Sequence, residues 1–524
     1  MGLIKFMWFL LFLTAVGFGD DLVLLRQAQQ NRDAMRFCWR LLQGWLQFAD
    51  EETKFFPRNL KTDFFWNAKD CSADNYPFLT LTAYFTDRLT FETTMKQILA
   101  NEQRFCNRVD RLPDDWDFET RGFRNSKVEM PSIIFGASEY IKDGLLPLTE
   151  YLGRSLWSER MYGLMDDIWK HASIETEVGL LPDKTHEVAG DLMQALARIY
   201  WQSRDEKYKK YAFMLGDYFL VYHPPHKSDY LQLDDHGCEV IGGLSEVYLL
   251  AKYEDETRYI SWKNTMHELI DTVLKFGRNE KGLFYEAIDP NIGAIKRDAL
   301  TDNWGYDYNA IATVGLIDGK GEYIEEIKST LDNLIDFKDY PWEEDGADGL
   351  ADSLEGAINL FNRFPSEYAF AWADYTAERL LSKQRPSGII EGWYGDGNSA
   401  RTMLMYALWK SQGCYVEPWR ADIGVGAVKN GDGTVDVIVT TEWRWKGKLK
   451  FDIPRHKENF NMPFDYPRLN QFPEWFTVES GKEYQIEIEN QASKFYGEQL
   501  REGLPLALPA NGTVRIKISP IHLN

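Results

Sequence analysis

Apolar side chains recur at helical spacing along most of this 524-residue chain. From about Leu22 to Tyr415 they fall at i, i+3, i+4 and i+7, and loops rich in Gly, Pro, Asp and aromatic residues separate the stretches. Roughly twelve helices, each with its loop taking about 33 residues, fill this span. That number predicts six helical hairpins closed into a ring, an (α/α)6 toroid in a mainly α chain. An open solenoid is the structural alternative, but the sequence shows no strict period.

The pattern changes at Cys414 to Pro418. The stretch VGAVKNGDGTVDVIVTTEWRWKGKLKFDIPRH alternates apolar and polar residues and contains a hairpin signal at Asn430-Gly431-Asp432-Gly433. Two later stretches, WFTVESGKEYQIEIEN and LPANGTVRIKISP, continue the alternation. The end of the chain therefore predicts an antiparallel β-sandwich. We place the toroid at residues 20–415 and the β-domain at residues 416–524.

The first residues, MGLIKFMWFLLFLTAVGFGD, contain one lysine, an apolar run from Phe6 to Phe18 and small residues at Gly17 and Gly19. This arrangement predicts a secretory signal peptide over residues 1–19. An uncleaved anchor is the alternative, but the apolar run is shorter than the roughly 20 residues that a spanning helix needs. No later stretch is long and apolar enough to span a membrane. We therefore expect a secreted or periplasmic protein without an integral membrane segment after cleavage.

Charge and cysteine content narrow the possible partners. The formal net charge of -22 argues against nucleic acid, which is itself a polyanion. The five cysteines form no CxxC pair and no ligand spacing, so we expect no metal site. An exported protein could form one or two disulfides from these cysteines, but the sequence does not show which cysteines would pair.

Four interhelical loops share a composition that one capped helix start does not explain. Each loop joins carboxylates to Trp or Tyr immediately before a helix. Taken alone, any one of them is explained by a capped helix start over an aromatic core. In a toroid, however, these loops would surround one concave site. Aromatic faces stack on sugar rings, and Asp, Asn and Arg bind hydroxyls. The loops therefore predict a carbohydrate substrate and these substrate-binding residues: Trp66, Asn75, Tyr76, Arg124, Trp304, Tyr306, Tyr308, Trp393 and Arg401.

Glycoside hydrolysis needs one protonated and one ionised carboxyl group. The best candidates are Asp235 and Glu239, followed by Asp74 and Asp302. Asp235 and Glu239 lie four residues apart on one helical face, too close to oppose each other across a substrate. We expect one of them to pair with Asp74 or Asp302, and the sequence does not choose between these combinations.

Two other mechanisms compete with hydrolysis. A polysaccharide lyase would use His236, Tyr306 or Tyr308 as its base, with Arg124 neutralising a uronate. A basic loop around Arg124, with Arg401 as a second candidate, would suit a uronic-acid carboxylate, although surface ion pairs explain that loop equally well. A glycan-binding protein without catalytic activity is the third hypothesis, after the hydrolase and the lyase. A serine-elbow hydrolase and a zinc protease are disfavoured because the chain lacks GxSxG and HExxH.

Gly242 and Gly243 lie inside the helical stretch that follows Glu239. Each glycine destabilises a helix interior by about 1 kcal/mol relative to alanine. We therefore expect a neighbouring helix or a ligand to come close to them.

Four motifs, DCSADNYPFLTLTAYFTDR, DDHGCEVIGGLSEVY, DGADGLADSLEGAINLFNR and GDGNSARTMLMYALWKSQG, resemble segments of exported bacterial carbohydrate-active enzymes with six-hairpin toroids. The nearest type is the β-glucuronidase-like glycoside hydrolase family 154. This resemblance covers most of the helical part, and such enzymes also carry a β-sandwich after the toroid. It implies a uronate-containing glycan, polysaccharide degradation and no organic cofactor. It carries no catalytic pair over to numbered positions, and the same architecture also hosts lyases and epimerases.

Overall fold

The structure, a computed structural model, describes residues 2–62, 64–489 and 491–521, and side chains from Asp21 onward. The side chains of the predicted signal peptide, residues 1–19, lie outside the described residues, so the signal stays a prediction. Within the described residues, no helix has both the length and the apolar character needed to cross a membrane.

Long helices alternate between an outer and an inner layer from the start of the chain to Lys410. Inner helices are buried almost all round, whereas outer helices bury one stripe and expose the other to water. In chain order, the outer and inner partners are α1 (Gly2–Leu46) with α2 (Tyr76–Thr86), α3 (Lys96–Phe105) with α4 (Met130–Glu139) and its continuation α5 (Leu146–Leu152), α6 (Leu156–Lys170) with α7 (His186–Ser203), α8 (Glu206–Asp217) with α9 (Cys238–Glu254), α10 (Glu256–Phe276) with α11 (Trp304–Asp318), α12 (Gly321–Asn333) with α13 (Ala347–Phe361), and α14 (Glu367–Lys383) with α15 (Asp396–Lys410).

The inner helices pack side by side in the order α2, α4–α5, α7, α9, α11, α13 and α15, and α15 packs on α2 to close the ring. The predicted helical toroid is confirmed. Counting α4–α5 as one, the described residues place seven helices in the inner ring, one hairpin more than the sequence analysis expected. The helix-plus-loop units are shorter than the length assumed there, which leaves room for the additional hairpin.

The glycines of α9 behave differently from each other. A Cβ on Gly243 would lie 2.6 Å from the backbone oxygen of Gly190 on α7, closer than real side chains approach. A Cβ on Gly242 would meet only the end of Gln194, at 3.4 Å. Close approach of a neighbouring helix is therefore confirmed at Gly243, where α7 and α9 pack backbone to backbone.

The β-domain is a sandwich of two antiparallel sheets, as predicted. Its strands are β1 (Tyr415–Glu417), β2 (Gly424–Lys429), β3 (Val435–Thr440), β4 (Trp445–Lys450), β5 (Glu483–Ile488), β6 (Gln491–Tyr496), β7 (Leu504–Leu508) and β8 (Thr513–Ile521). One sheet has the order β1-β4-β7 and the other β2-β3-β8-β5-β6. Alternate residues of both sheets, such as Leu449 and Val437, point into one shared apolar core.

Short strands also decorate the loops of the toroid. They pair as Phe65–Trp66 with Trp116–Asp117 and Gly122–Phe123, Asn107–Val109 with Leu112–Pro113, Ile174–Thr176 with Gly179–Leu181, and Leu231–Gln232 with Tyr285–Asp289 and Ala294–Leu300. All five cysteines belong to the described residues, and each is a buried free thiol there.

The connection from β4 to β5 leaves the sandwich and enters the centre of the toroid. We call its residues 465–471 the strap. The guanidinium of Arg468 forms a buried ion pair with Glu150 on α5. The Tyr466 hydroxyl donates to Oε2 of Glu246 on α9 at 2.7 Å. The strap therefore fixes the β-domain to the inner helices rather than leaving it as an appendage.

Candidate active site

A cavity of about 140 Å³ lies where the N-terminal ends of several inner helices meet. Asp74 precedes α2, Asp235 precedes α9, and Tyr306, Asp348 and Asn398 lie in the first turns of α11, α13 and α15. Helix N-termini carry partial positive charge, which favours carboxylates there. The charged lining consists of Asp70, Asp74, Glu139, Asp143, Asp235, Glu239, Asp348 and Asp352 on the acidic side and Arg58, Lys69, Lys142, His236 and Arg401 on the basic side.

Lys142 is a buried ammonium surrounded by carboxylates. Its Nζ lies 3.0 Å from Asp143, 3.2 Å from Asp191, 3.4 Å from Glu239 and 3.8 Å from Glu139. Burial alone would lower the pKa of Lys142, but these carboxylates hold it well above its ordinary value. Lys142 lies in a π-helical segment, residues 140–145, between α4 and α5, and such segments occur often at functional sites.

Asp235 and Glu239 occupy different environments despite their closeness in sequence. The Asp235 side chain is 66% exposed and reaches the water of the cavity, whereas that of Glu239 is 2% exposed and faces Lys142. Enclosure by the surrounding protein and the charge of Glu239 raise the pKa of Asp235 to about 7. Asp235 is thus a carboxyl group that is still protonated to a large extent near neutral pH.

His236 lies at the mouth of the cavity, with its Nε2 3.2 Å from Asp235 and its Nδ1 bonded to Glu187. The hydrogen bond with Glu187 raises the pKa of His236 to about 9, so the ring is an imidazolium at neutral pH. Its backbone φ is +67°, a conformation that non-glycine residues rarely adopt. Strain of this kind concentrates at functional sites.

Other carboxyl groups at or near the cavity also have raised pKa values, among them Asp74, Asp348 and Asp302. Burial, followed by the charge of Asp143, raises the pKa of Asp74 well above its ordinary value. Burial and the charge of Asp352 do the same for Asp348 and for Asp302. Asp74 and Asp348 line the cavity, while Asp302 lies behind it, close enough to sense the charge of Asp235.

Arg401 is buried and organises the side of the cavity formed by α13 and α15. Its guanidinium pairs with Asp352 and donates to Oδ1 of Asn398 at 3.4 Å. Asp352 also accepts a hydrogen bond from Asn303 at 3.2 Å. The predicted residue Arg401 therefore belongs to the cavity, but its charge is already engaged by a carboxylate of the protein.

Four aromatic residues expected at the sugar are instead core residues. The Trp66 ring stacks on Phe55, and the Trp304 indole donates to Ser353 at 2.8 Å. The Tyr76 and Tyr308 hydroxyls donate to the backbone oxygens of Met95 and Gly282. All four are buried, with exposures of 2% or less. An aromatic residue before a helix marks a core here, and only Tyr306 of the predicted aromatics reaches the cavity.

Three other predicted binding residues lie outside the cavity lining. Asn75 is 1% exposed, and its backbone packs against Gly397 at the start of α15. The Arg124 guanidinium lies 3.7 Å from the ring centre of Phe65, on the surface. The Trp393 indole donates to Glu391 at 2.7 Å, and its neighbour Tyr394 lines the cavity instead.

Lys142, Asp143 and Asn470 line the cavity but were absent from the predicted set. Lys142 and Asp143 interrupt the apolar stretch YIKDGLLPL, and this interruption was a signal that could have found them. Asn470 offered no such signal because it reaches the cavity on the strap.

One cluster outside the cavity has the composition of a metal site. Potential ligand atoms of His456, Asp465 and Glu474 lie within 4.8 Å of one another. Asp465, however, pairs with Arg363 and Arg468 at 2.7 and 2.9 Å. The arginines already supply the positive charge that a cation would bring, so this cluster is a set of ion pairs.

Comparisons with known proteins found only distant structural similarities. No family model matches the chain, and no curated protein matches it. Solved structures similar to it include an α-1,6-mannanase from a Salegentibacter species, with 14% identity, a TM-score of 0.39 and coverage of 71% of this chain and 98% of that chain. A sugar epimerase from a ruminal bacterium shows 14% identity and a TM-score of 0.41, over 57% of this chain and 84% of that chain.

An unsaturated glucuronyl hydrolase from a Bacillus species is also similar, with 14% identity, a TM-score of 0.36 and coverage of 53% of this chain and 86% of that chain. All three TM-scores are below 0.5. These likenesses therefore assign no activity to the chain, and the activity has to be argued from the cavity itself.

Proposed function

We propose that this protein is a glycoside hydrolase whose active site is the cavity around Asp235. The observation that carries the proposal is an accessible carboxyl group with a raised pKa, Asp235, which shares one cavity with several other carboxyl groups. The protein that encloses the cavity and the charge of Glu239 raise the pKa of Asp235 to about 7, which suits a general acid for the leaving oxygen. Separation of the pKa values of neighbouring carboxyl groups is how glycosidases divide the two roles.

The partner that we assign to Asp235 is Asp352. Arg401 and Asn303 both donate hydrogen bonds to it, an arrangement that holds a carboxylate in place. Asp352 also belongs to a different helix, α13, from Asp235 in the loop before α9, and both residues line the cavity. In this scheme Asp235 protonates the glycosidic oxygen, and Asp352 activates water or attacks the sugar.

A lyase fits this cavity less well. His236 would have to accept a proton, but Glu187 keeps it positively charged by raising its pKa to about 9. Burial raises the pKa of Tyr306 well above 10, so a tyrosinate base is disfavoured as well. A binding protein without catalysis would bind oligosaccharides without releasing reducing sugar.

The substrate that we propose is a uronic acid at the end of a glycan chain. The cavity is small compared with the roughly 300–1,000 Å³ of pockets for drug-sized ligands, which favours one sugar residue over a long stretch of chain. Lys69 is the cation that we assign to the uronate. It is exposed at the cavity, lies 5.2 Å from the ring centre of Phe135 and forms no ion pair among the described residues. The predicted signal peptide would carry such an enzyme out of the cytoplasm.

The test is incubation of the purified protein with uronate-ended oligosaccharides and matched neutral oligosaccharides. Hydrolysis releases reducing sugar without an unsaturated product that absorbs in the ultraviolet. Release of a single uronic acid from the chain end is the expected result. An unsaturated product would establish elimination, and cleavage of only the neutral set would refute the uronate.

Lys69→Met separates the parts of this proposal. The variant should raise KM for the uronate-ended substrate and leave kcat within a few-fold, because it removes only a binding charge. Lys61→Met, an exposed lysine outside the cavity lining, is the matched control and should leave both constants unchanged.

A further inference from the structure

Asn470 connects three inner helices from its position on the strap. Its Nδ2 donates to Oδ1 of Asp143 at 2.7 Å, and its Oδ1 accepts from Arg401 at 2.8 Å. Its backbone N–H donates to Oε1 of Glu355 on α13 at 3.1 Å. The residue is 2% exposed, so these hydrogen bonds are made away from bulk water.

An asparagine amide is well suited to this position. It donates to a carboxylate with one end and accepts from a guanidinium with the other, which neither an aspartate nor an apolar side chain can do. The backbone φ of Asn470 is +57°, and asparagine tolerates that conformation better than most residues with a Cβ. Both the side chain and the backbone therefore select the residue type.

The two partners of Asn470 belong to different charged groups of the cavity. Asp143 pairs with Lys142, and its charge acts on Asp74. Arg401 pairs with Asp352, the carboxylate that we assign as the partner of the acid. A single amide from the β-domain thus holds both groups in one arrangement.

We infer that Asn470 is a positioning residue of the active site, supplied by the β-domain, and that the site is incomplete without the strap. This inference rests on the proposed function. The Arg468 and Tyr466 contacts with Glu150 and Glu246 hold the strap in the ring. Asn470 in turn fixes Asp143 and Arg401 relative to each other.

The test uses the full-length protein with Asn470→Ala and Asn470→Asp. Asn461→Ala and Asn461→Asp are matched controls, because Asn461 has φ +56°, lies on the same connection and is exposed outside the cavity lining. Asn470→Ala should lower kcat at least tenfold with a smaller change in KM. The Asn461 variants should match the wild type.

Asn470→Asp adds a readout that needs no substrate. The new carboxyl group would lie buried between Asp143, whose charge raises its pKa, and Arg401, whose charge lowers it. Because Asp352 already pairs with Arg401, burial and Asp143 should keep the folded pKa above the unfolded value of about 3.9. The folded Asn470→Asp variant is then most stable at low pH and loses stability as the pH rises through the folded pKa. The melting temperature of Asn470→Asp should therefore fall below that of the wild type at pH 8 and recover at pH 5, while Asn461→Asp shows no such dependence.

The outcomes are distinguishable. A wild-type protein that cleaves no oligosaccharide refutes the proposed function, and the melting temperatures still decide whether Asn470 contacts Asp143. An active wild type with Asn470 variants that keep its kcat refutes the positioning role alone. A pH-independent melting temperature for Asn470→Asp also overturns the inference.

Discussion

Replacing Lys142 with methionine should destabilise the protein in a strongly pH-dependent way. The ammonium lies 3.0–3.4 Å from Asp143, Asp191 and Glu239, all of them buried. At these distances one attraction amounts to about 5 kcal/mol with an effective dielectric constant of about 20. The desolvation of Lys142 offsets much of the summed attraction to the three carboxylates. Removal of one partner from a buried ion pair typically destabilises a protein by about 3–5 kcal/mol. We expect a loss of that size at pH 8.

The sign of the pH dependence follows from the carboxyl groups. Burial already raises the pKa of Asp191 to about 6 in the wild type, against about 3.9 in an unfolded chain. A group with a raised pKa stabilises the fold below its unfolded pKa, and that stability is lost as the pH rises through the folded pKa. Without Lys142 the folded pKa of Asp191 rises further. Each unit of that rise corresponds to about 1.4 kcal/mol of folding free energy that is lost between low and high pH. The deficit of Lys142→Met should therefore shrink by at least that amount between pH 8 and pH 5.

The assay is urea unfolding followed by tryptophan fluorescence at pH 5, 6, 7 and 8. Lys410→Met is the matched control, because Lys410 is equally buried but pairs with one partly exposed carboxylate, Asp374, at 2.6 Å. Burial lowers the pKa of Lys410 to about 8, so its contribution is constant below that pH. A Lys142→Met deficit that is equal at pH 5 and pH 8, or no larger than that of a surface variant, would refute the reasoning.

Three further predictions concern the core, the acid and the strap. Gly243→Ala should lower the melting temperature, because its Cβ would lie 2.6 Å from the Gly190 oxygen. Gly242→Ala should be neutral or stabilise the protein by up to about 1 kcal/mol. Equal effects of the two substitutions would contradict the packing of α7 on α9. The wild-type kcat/KM should fall above pH 7 as Asp235, whose pKa is raised to about 7 by its enclosure, loses its proton; a plateau to pH 9 would exclude it as the acid. Arg468→Met should destabilise the protein by about 3–5 kcal/mol, as denaturant unfolding will measure, because it leaves the buried Glu150 with only the longer contact to Arg198 at 4.0 Å. A loss below about 1 kcal/mol would show that the strap is loosely held.

The architecture was readable from the sequence because it depends on local periodicity. Apolar spacing of 3.6 residues predicted the helices, and alternation after Cys414 predicted the sandwich. The gathering of Asp74, Asp235 and Glu239 followed from their shared position at the N-terminal ends of inner helices. The number of hairpins was less accessible, since it depends on loop lengths that periodicity does not measure.

The remaining site residues were not readable for two physical reasons. Trp66 and Trp304 before a helix have the same sequence signal whether they face a sugar or a core, and here they face the core. Asn470 lies 327 residues from Asp143, and no local pattern reports a contact across that separation. The strap that makes the contact is an irregular segment, for which sequence periodicity predicts nothing.

The most direct test of the account is the dependence of Asp235→Asn on the leaving group. A general acid is needed for a poor leaving group, such as a sugar hydroxyl, and is dispensable for a dinitrophenolate, which departs without a proton. For the sugar that the oligosaccharide panel identifies, Asp235→Asn should lose about 10²–10⁴ in kcat on the natural linkage and less than tenfold on the dinitrophenyl glycoside. Equal losses on both substrates would contradict the assignment of Asp235 as the acid.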